Sequence, residues 1–324
     1  MQRLLVAAVL AASTFFLSQT PSRAEFPDRP MKIVVAWPPG GSTDIVGRFL
    51  AEQLSIAFKR SVVVENRPGA NGNIGTQSVI KSPADGYTLQ IATAETHAIN
   101  PHVYKNAGYE VTKDFEPIAL VARVNFVLTT KGDFPANDLK QFLELARAQP
   151  GKYTVASYGI GSTSHMALAA FEEKTGTNYL HVPYKGVAPA VNAILTGEVD
   201  AAFVSPNSVV GLEKSGQAKI LGSASLKRQS PAPNVPTFSE LGVPDFVTGN
   251  WYGLVAPAGI PDDAKKRLQE EVRKIATSEQ FVTRANAAAI DVDYRDADEF
   301  AKYLKSENDR WQQIVAARKI EVAQ

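Results

Sequence analysis

Two loops of similar design carry the residue types best suited to holding a small anion. Trp37-Pro-Pro-Gly-Gly-Ser-Thr-Asp44 and Ser157-Tyr-Gly-Ile-Gly-Ser-Thr-Ser-His165 each place glycine before a Ser-Thr pair. Glycine lets the backbone approach a ligand closely, and the first N–H groups of a helix have no intrahelical partner and attract negative charge. If each loop opens a helix in a different domain, the two could clamp a carboxylate or phosphate across a cleft without any arginine.

The same residues allow other interpretations. Both loops could be ordinary capped helix starts, which are common. Ser162 and His165 could form the nucleophile and base of a secreted hydrolase, but no particular acid is placed to orient the histidine. The chain contains no G-x-S-x-G elbow, complete dinucleotide fingerprint, P-loop or H-x-x-x-H pair. The pairing of the two loops therefore favours binding over catalysis, and we predict no catalytic residue, no cofactor and no metal site.

Alternating strands and helices must hold these loops in place. Each loop follows a short apolar segment expected to form a strand, and each precedes the apolar pattern of a helix. Repeated βα units predict a mostly parallel sheet, with Ser42, Thr43 and Asp44 supplying the cap of the first helix and Pro189 the first residue of a later one. The predicted strands cover residues 32–37, 61–65, 87–93, 153–157 and 199–205, and predicted helices include residues 73–81, 137–149 and 163–174.

Two longer apolar segments, residues 117–130 and 250–256, are the candidates for connections between domains. We expect the chain to leave its first domain once and to return once, which makes that domain discontinuous. The predicted boundaries assign residues 25–124 and 251–324 to lobe 1 and residues 125–250 to lobe 2.

Composition and the N-terminal segment restrict the class of protein. The chain has 324 residues, 34 basic against 33 acidic side chains, and no cysteine, so disulfides and a thiol nucleophile are excluded and a nucleic-acid partner is not expected. Arg3, an apolar run to Leu17 and the small residues Ser22 and Ala24 have the pattern of a signal peptide covering residues 1–24. Its removal leaves 32 basic residues and a net charge of −1. We predict export to a bacterial periplasm without a lipid anchor.

Eight stretches together carry a resemblance to a known family. They are residues 30–44, 64–75, 84–89, 96–101, 157–165, 181–186, 197–200 and 235–237, and they extend over essentially all of the chain after residue 24. In these stretches the chain resembles the extracytoplasmic solute-binding proteins of tripartite tricarboxylate transporters, the Bug or TctC-like proteins. That resemblance implies a type II periplasmic-binding fold, in which two α/β lobes are joined by two crossing strands and close on a ligand held in the cleft between them.

The resemblance also implies which residues line that cleft. The two loops would grip a ligand carboxylate, and residues near the ends of later strands would line the far end of the pocket. The predicted ligand-binding residues are Trp37, Gly41, Ser42, Thr43, Asp44, Thr93, Ala94, Ser157, Gly161, Ser162, Thr163, His165, Tyr184, Lys185, Phe203 and Ser205. We further expect that a bulky residue at Gly41 or Gly161 abolishes binding and leaves the fold intact.

The function implied is that of a monomeric periplasmic solute-binding protein. It would capture a small organic carboxylate, either a di- or tricarboxylate or an aromatic carboxylate, and deliver it to the membrane permease subunits of a tripartite tricarboxylate-type transporter. The family often has Phe where this chain has Trp37, and an indole there would suit a flat aromatic carboxylate. A sensor module that presents its ligand to a receptor kinase uses the same fold, so the sequence leaves both roles open.

Overall fold

A computed structural model describes residues 25–322, and the predicted signal peptide lies outside these residues. The strands are β1 Met31–Val35, β2 Val62–Asn66, β3 Thr88–Thr93, β4 Phe115–Asn125, β5 Val127–Lys131, β6 Thr154–Ser157, β7 Leu180–Pro183, β8 Ala201–Val204, β9 Ala218–Ser223, β10 Gly249–Pro257 and β11 Asp291–Arg295. The helices are α1 Ser42–Phe58, α2 Asn73–Ile80, α3 Asn100–Val103, α4 Val111–Asp114, α5 Leu139–Ala148, α6 Thr163–Thr175, α7 Val187–Thr196, α8 Val210–Lys214, α9 Asp262–Ala276, α10 Glu279–Ala287 and α11 Ala297–Arg318. Single turns of 3-10 helix span Ala70–Gly72 and Pro206–Ser208, and a π-helical turn spans Glu95–Ile99.

The strands form two sheets, one in each lobe. The first has six strands in the order β11-β4-β10-β3-β1-β2, and the second has five in the order β7-β6-β8-β5-β9. The strands that precede the two loops, β1 and β6, pair in parallel with their neighbours β2 and β3 or β7 and β8. The expectation of mostly parallel sheets is wrong, because β10, β11, β5 and β9 all pair antiparallel with their neighbours. The strands by which the chain enters a sheet after each crossing, β5 and β10, run antiparallel to their neighbours β8 and β3.

The chain crosses between the lobes at Phe126 and at Thr248. Phe126 separates β4 of the first sheet from β5 of the second, and Thr248 immediately precedes β10. The two crossings are hydrogen-bonded together: Phe126 N donates to Thr248 O at 3.0 Å, and Ala224 N donates to Phe126 O at 2.8 Å. The predicted crossing segment 117–130 therefore forms two strands rather than one, with the change of sheet at a single residue.

Periodic apolar residues place the helices against these sheets. In α1 the apolar residues Val46, Phe49, Leu50 and Leu54 are buried, and the two leucines are inaccessible to solvent. The last helix, α11, is capped by Asp296, whose side chain accepts a hydrogen bond from Glu299 N. Pro189 is the third residue of α7 rather than the first, because the helix begins at Val187 after Gly186. The α/β two-lobe architecture with a cleft at the carboxyl ends of the parallel strands follows from these elements.

Candidate functional site

The first loop leads into α1, whose N-terminus has no side-chain cap. Gly41 occupies the N-cap position with φ −80° and ψ 170°. The expectation that Ser42, Thr43 and Asp44 would cap the helix is wrong, because these residues form its first turn instead. Their backbone N–H groups have no acceptor within the helix, so the positive end of a 17-residue helix remains available to an anion.

The Asp44 side chain stabilises the first loop through hydrogen bonds. It accepts hydrogen bonds from Gly40 N at 2.9 Å, Arg48 Nε at 2.8 Å and Asn66 Nδ2 at 2.8 Å. Burial favours the neutral acid, but the hydrogen bonds from Arg48, Asn66 and Gly40 outweigh that effect and lower the pKa of Asp44. The carboxylate therefore fixes the approach to α1, and it does not line the cavity of the cleft.

The second loop leads into α6, and this helix is already capped. Ser162 is the N-cap: its Oγ accepts from His165 N at 3.3 Å and donates to Gly159 O at 2.7 Å. Gly161 has φ +76°, and a Cβ atom there would lie 3.1 Å from Val322 and 3.2 Å from Val103. These contacts argue against the expectation that a bulky residue at Gly161 leaves the fold intact, because it would strain the backbone and crowd lobe 1.

A buried glutamate joins the second loop to the first lobe. Glu95 follows β3 at the start of the π-helical turn and is 5% exposed. Its Oε1 accepts from Thr163 Oγ1 at 2.7 Å and from Thr163 N at 3.4 Å, and its Oε2 accepts from Asn250 Nδ2 at 2.8 Å. A side chain of the protein thus occupies the anion position at the start of α6, which leaves the N-terminus of α1 as the open half of the clamp.

The two helix starts face one cavity of about 580 Å³ between the lobes. Of the predicted residues, Trp37, Gly41, Ser42, Thr43, Ser162, Thr163 and Ser205 line it. The residues that sequence reasoning missed are Pro38, Pro39, Asn71, Glu95, Phe126, Tyr158, Gly186, Val187, Ala188, Asn250 and Tyr252. The structure therefore brings both predicted loops together and adds the crossing strands as a third wall.

The remaining predicted residues lie outside this lining. Thr93 and Ala94 are buried behind Glu95, and Ala94 N donates to Asn250 Oδ1 at 3.0 Å. Phe203 packs in an aromatic core with Phe171, Phe238 and Phe246.

Two further predicted residues, Tyr184 and Lys185, come directly before the lining segment 186–188. Tyr184 donates its hydroxyl hydrogen to Glu198 at 2.7 Å. Lys185 is exposed and immediately precedes Gly186, a residue of the lining.

Ser157 and His165 belong to a buried packing arrangement. The His165 and His181 rings stack with centroids 3.8 Å apart, and His181 Nε2 lies 2.6 Å from Ser157 Oγ. Burial lowers the pKa of His165 to about 3, helped by the neighbouring His181, and lowers that of His181 to about 4, so both rings are neutral at pH 7. His165 Nδ1 accepts from Gly161 N at 3.2 Å, so the ring is directed toward the loop backbone and not toward Ser162 Oγ.

Rules applied to the sequence alone could have identified some of the cavity-lining residues that were not predicted. Glu95 comes directly after Ala94 at the carboxyl end of a parallel strand, where ligands bind in α/β folds. Tyr158 lies within the second loop itself, and Asn250 and Tyr252 lie in the predicted crossing segment 250–256. Asn71 gave no such signal, because its place depends on a contact of its side chain with Gly161 O in the other lobe.

The cavity walls are aromatic and contain buried polar groups. Burial raises the pKa of Tyr252; a hydrogen bond with Ser42 opposes this rise and the Glu95 charge adds to it. Burial also raises the pKa of Tyr158, whose neighbour Ser205 opposes the rise. Trp37 Nε1 is buried and has no hydrogen-bond partner among the described residues.

These features define the class of protein: two α/β lobes around a cleft, with cavity-lining groups supplied by both lobes and by the crossing strands. Comparison with known proteins identifies the family. The profile of the tripartite tricarboxylate transporter family receptor, TctC, matches residues 46–320. The chain belongs to this family, which consists of binding proteins and not enzymes.

Individual relatives agree with this assignment. The protein BugT of Bordetella pertussis is 32% identical over 97% of both chains. A structure described as a periplasmic transporter is 33% identical, with a TM-score of 0.80 over 91% of this chain and 99% of that one. An R. palustris protein solved with adipate is 30% identical, with a TM-score of 0.81 over 91% and 99% of the two chains. MatC from Rhodopseudomonas palustris, solved with malate, is 28% identical, with a TM-score of 0.77 over 90% and 100%.

The family and the structural relatives make this a solute-binding protein of the periplasmic-binding type. Among residues 25–322, no helix is long and apolar enough to span a bilayer.

Proposed function

We propose that the protein captures a small organic carboxylate between its lobes in the periplasm and delivers it to the permease of a tripartite tricarboxylate-type transporter. The observation that carries the proposal is the uncapped N-terminus of α1, which opens onto the cavity beside Trp37. Family membership and the adipate and malate bound by two relatives support a carboxylate as the ligand.

The chemistry of the cavity is consistent with a bound carboxylate. The N–H groups of Ser42 and Thr43 can donate to a carboxylate at the positive end of the helix dipole, where anions are stabilised. The apolar part of a ligand would contact the aromatic side chains of Trp37, Phe126 and Tyr158. Because the ligand would touch groups of both lobes, its binding would favour the closed arrangement by its differential affinity for that state.

Calorimetric titration of Gly41→Leu tests the proposal. A screen of organic acids by thermal shift first provides an acid that the wild-type protein binds. A Cβ atom added at Gly41 would have no neighbour within 4 Å, and the φ angle there is ordinary. The backbone therefore tolerates leucine, whose side chain would project at the α1 N-terminus beside the cavity. We expect a loss of at least about a hundredfold in affinity, comparable to the removal of hydrogen bonds to a charged group, with an unchanged melting temperature.

Gly211→Leu is the matched control. Gly211 lies in α8 on lobe 2, and a Cβ atom there would be equally free of neighbours. The control should bind the acid with wild-type affinity. Equal affinity of the Gly41→Leu protein and the control would contradict the proposed carboxylate site.

A further inference from the structure

The Glu95 carboxylate in the cavity wall has only neutral partners. Its hydrogen bonds come from Thr163 Oγ1, Thr163 N and Asn250 Nδ2, and no cation lies within 4 Å of it among residues 25–322. A carboxylate has about four acceptor positions, so three donors leave room for a further one. The residue also lines the cavity, so that position can be reached from the ligand side.

The charged side chain in the cavity lining is negative, and no positive side chain among the described residues accompanies it. Within the described chain, the lining residues include Glu95 but no lysine, arginine or histidine. The nearest cationic residue in the sequence of the lining segments is Lys185, whose side chain is exposed. A buried carboxylate is costly unless a charge or enough hydrogen bonds compensate it, and here the compensation comes from the N-terminus of α6 and two side-chain donors, without a cation from the described part of the chain.

The Glu95 charge would discriminate between ligands by the group at the end of the ligand that is far from its α1-bound carboxylate. A ligand carboxylate at the start of α1 leaves the rest of the molecule to extend toward Glu95 and the α6 side of the cavity. A second carboxylate there would meet the Glu95 charge, and like charges in a buried site repel strongly. An ammonium group would instead pair with Glu95 and could contact aromatic rings such as Tyr252, which attract cations.

We propose that Glu95 is a specificity-determining residue that directs the cleft to a carboxylate carrying a cationic amino group at its other end, in preference to a dicarboxylate. The inference rests on the proposed function and names the ligand class of the same site. It separates this chain from the relatives solved with adipate and malate, both of which are dicarboxylates.

Matched pairs of acids test the inference by calorimetry on the full chain without residues 1–24. The pairs are γ-aminobutyrate with glutarate, δ-aminovalerate with adipate, and p-aminomethylbenzoate with p-carboxymethylbenzoate. Within a pair the carboxylate and the spacer are closely matched, and the far group changes from ammonium to carboxylate. We expect the amino acid of at least one pair to bind about tenfold to a hundredfold more tightly than its diacid, as hydrogen bonds to charged groups contribute.

Substitutions assign that preference to Glu95. Glu95→Gln removes the charge and should abolish the preference, whereas Glu95→Asp keeps the charge and should retain its direction. Glu144→Gln makes the same change on the exposed surface of α5 and should leave the preference unchanged. Melting temperatures of all three variants verify that each protein is folded before titration.

The outcomes separate this inference from the proposed function. A diacid preference in every pair, or the same preference in the Glu95→Gln and wild-type proteins, would overturn the role of Glu95 while a Gly41-dependent carboxylate site still stands. Failure of the wild-type protein to bind any organic acid, including all six probes, would overturn both.

Discussion

Two carboxylates near the cleft have different partners and therefore different roles. Asp44 is bonded to the Arg48 guanidinium, to Asn66 and to the backbone of Gly40, and it lies behind the first loop. Glu95 is bonded only to neutral donors of the opposite lobe and of a crossing strand, and it faces the cavity. The first carboxylate maintains the shape of the site, and the second is available to a ligand.

Replacing Asp44 by asparagine should destabilise the protein. An amide cannot provide acceptors for Gly40 N, Arg48 and Asn66 together, so we expect the free energy of unfolding at pH 7 to fall by about 1–3 kcal/mol. Chemical denaturation measures this change. Asp309→Asn is the control, because Asp309 forms an exposed pair with Lys305 and its loss should cost less than about 1 kcal/mol.

The Asp44 contribution should also depend on pH. Because the folded-state pKa of Asp44 is lowered, its contribution is complete above the unfolded pKa of about 3.9 and is lost as the pH falls through the folded value. The difference between the wild-type and Asp44→Asn proteins should therefore shrink in acid. A difference that is the same for Asp44→Asn and Asp309→Asn at pH 7 would contradict the structural role of Asp44.

Individual side-chain roles were the least predictable part of the sequence. Ser42, Thr43, Asp44 and Ser162 are all residue types that cap helices, yet only Ser162 does so. The difference arises because Gly41 takes the extended N-cap conformation in the first loop, which a serine takes in the second. Backbone angles of this kind are set by the surrounding structure and not by residue type alone.

The two helices that face the cavity are not equivalent elements. The first turn of α1 is open, whereas that of α6 is occupied by Ser162 Oγ and by Glu95. The loop before α6 also packs tightly against lobe 1, where Val103 and Val322 lie beside Gly161. The two loops look equivalent in the sequence, but one helix start is open to the cavity and the other is part of the contact between the lobes.

Alanine at Gly161 should be more destabilising than alanine at Gly176. Both glycines have positive φ, +76° and +63°, so both substitutions carry the cost of a left-handed backbone. Only at Gly161 would the added methyl group also meet neighbouring side chains, so we expect an additional loss of about 1 kcal/mol or more from overpacking. Thermal or chemical denaturation of the two variants measures the difference. Equal losses would show that the lobe contact at Gly161 is not tight.

Secondary-structure elements were largely predictable because their periodic apolar residues are local signals. The strands before both loops and the helix after the second loop begin and end within about two residues of the predicted positions. The π-helical turn at Glu95–Ile99 and the antiparallel pairing of β10 gave no local signal, because they depend on how distant segments of the chain pack together.

At the scale of the whole molecule, the site is assembled from segments that are far apart in the sequence. The Glu95 carboxylate contacts residues 68 and 155 positions away. Both crossings contribute to the cavity, with Phe126 in one and Asn250 just after the other. The resemblance of local motifs predicted the two-lobe fold, and simple rules point to Glu95 and to the crossing segment one at a time. That these groups line the same cavity is seen only once the segments are placed together.

A crystal structure of the protein with the acid that gives the largest thermal shift tests the central claim most directly. We predict one ligand carboxylate in the cleft, with its oxygens at hydrogen-bond distance, about 2.7–3.2 Å, from the backbone nitrogens of Ser42 and Thr43. A carboxylate bound instead in the separate cavity lined by Arg123, Arg295 and Arg310, with the N-terminus of α1 left empty, would contradict it.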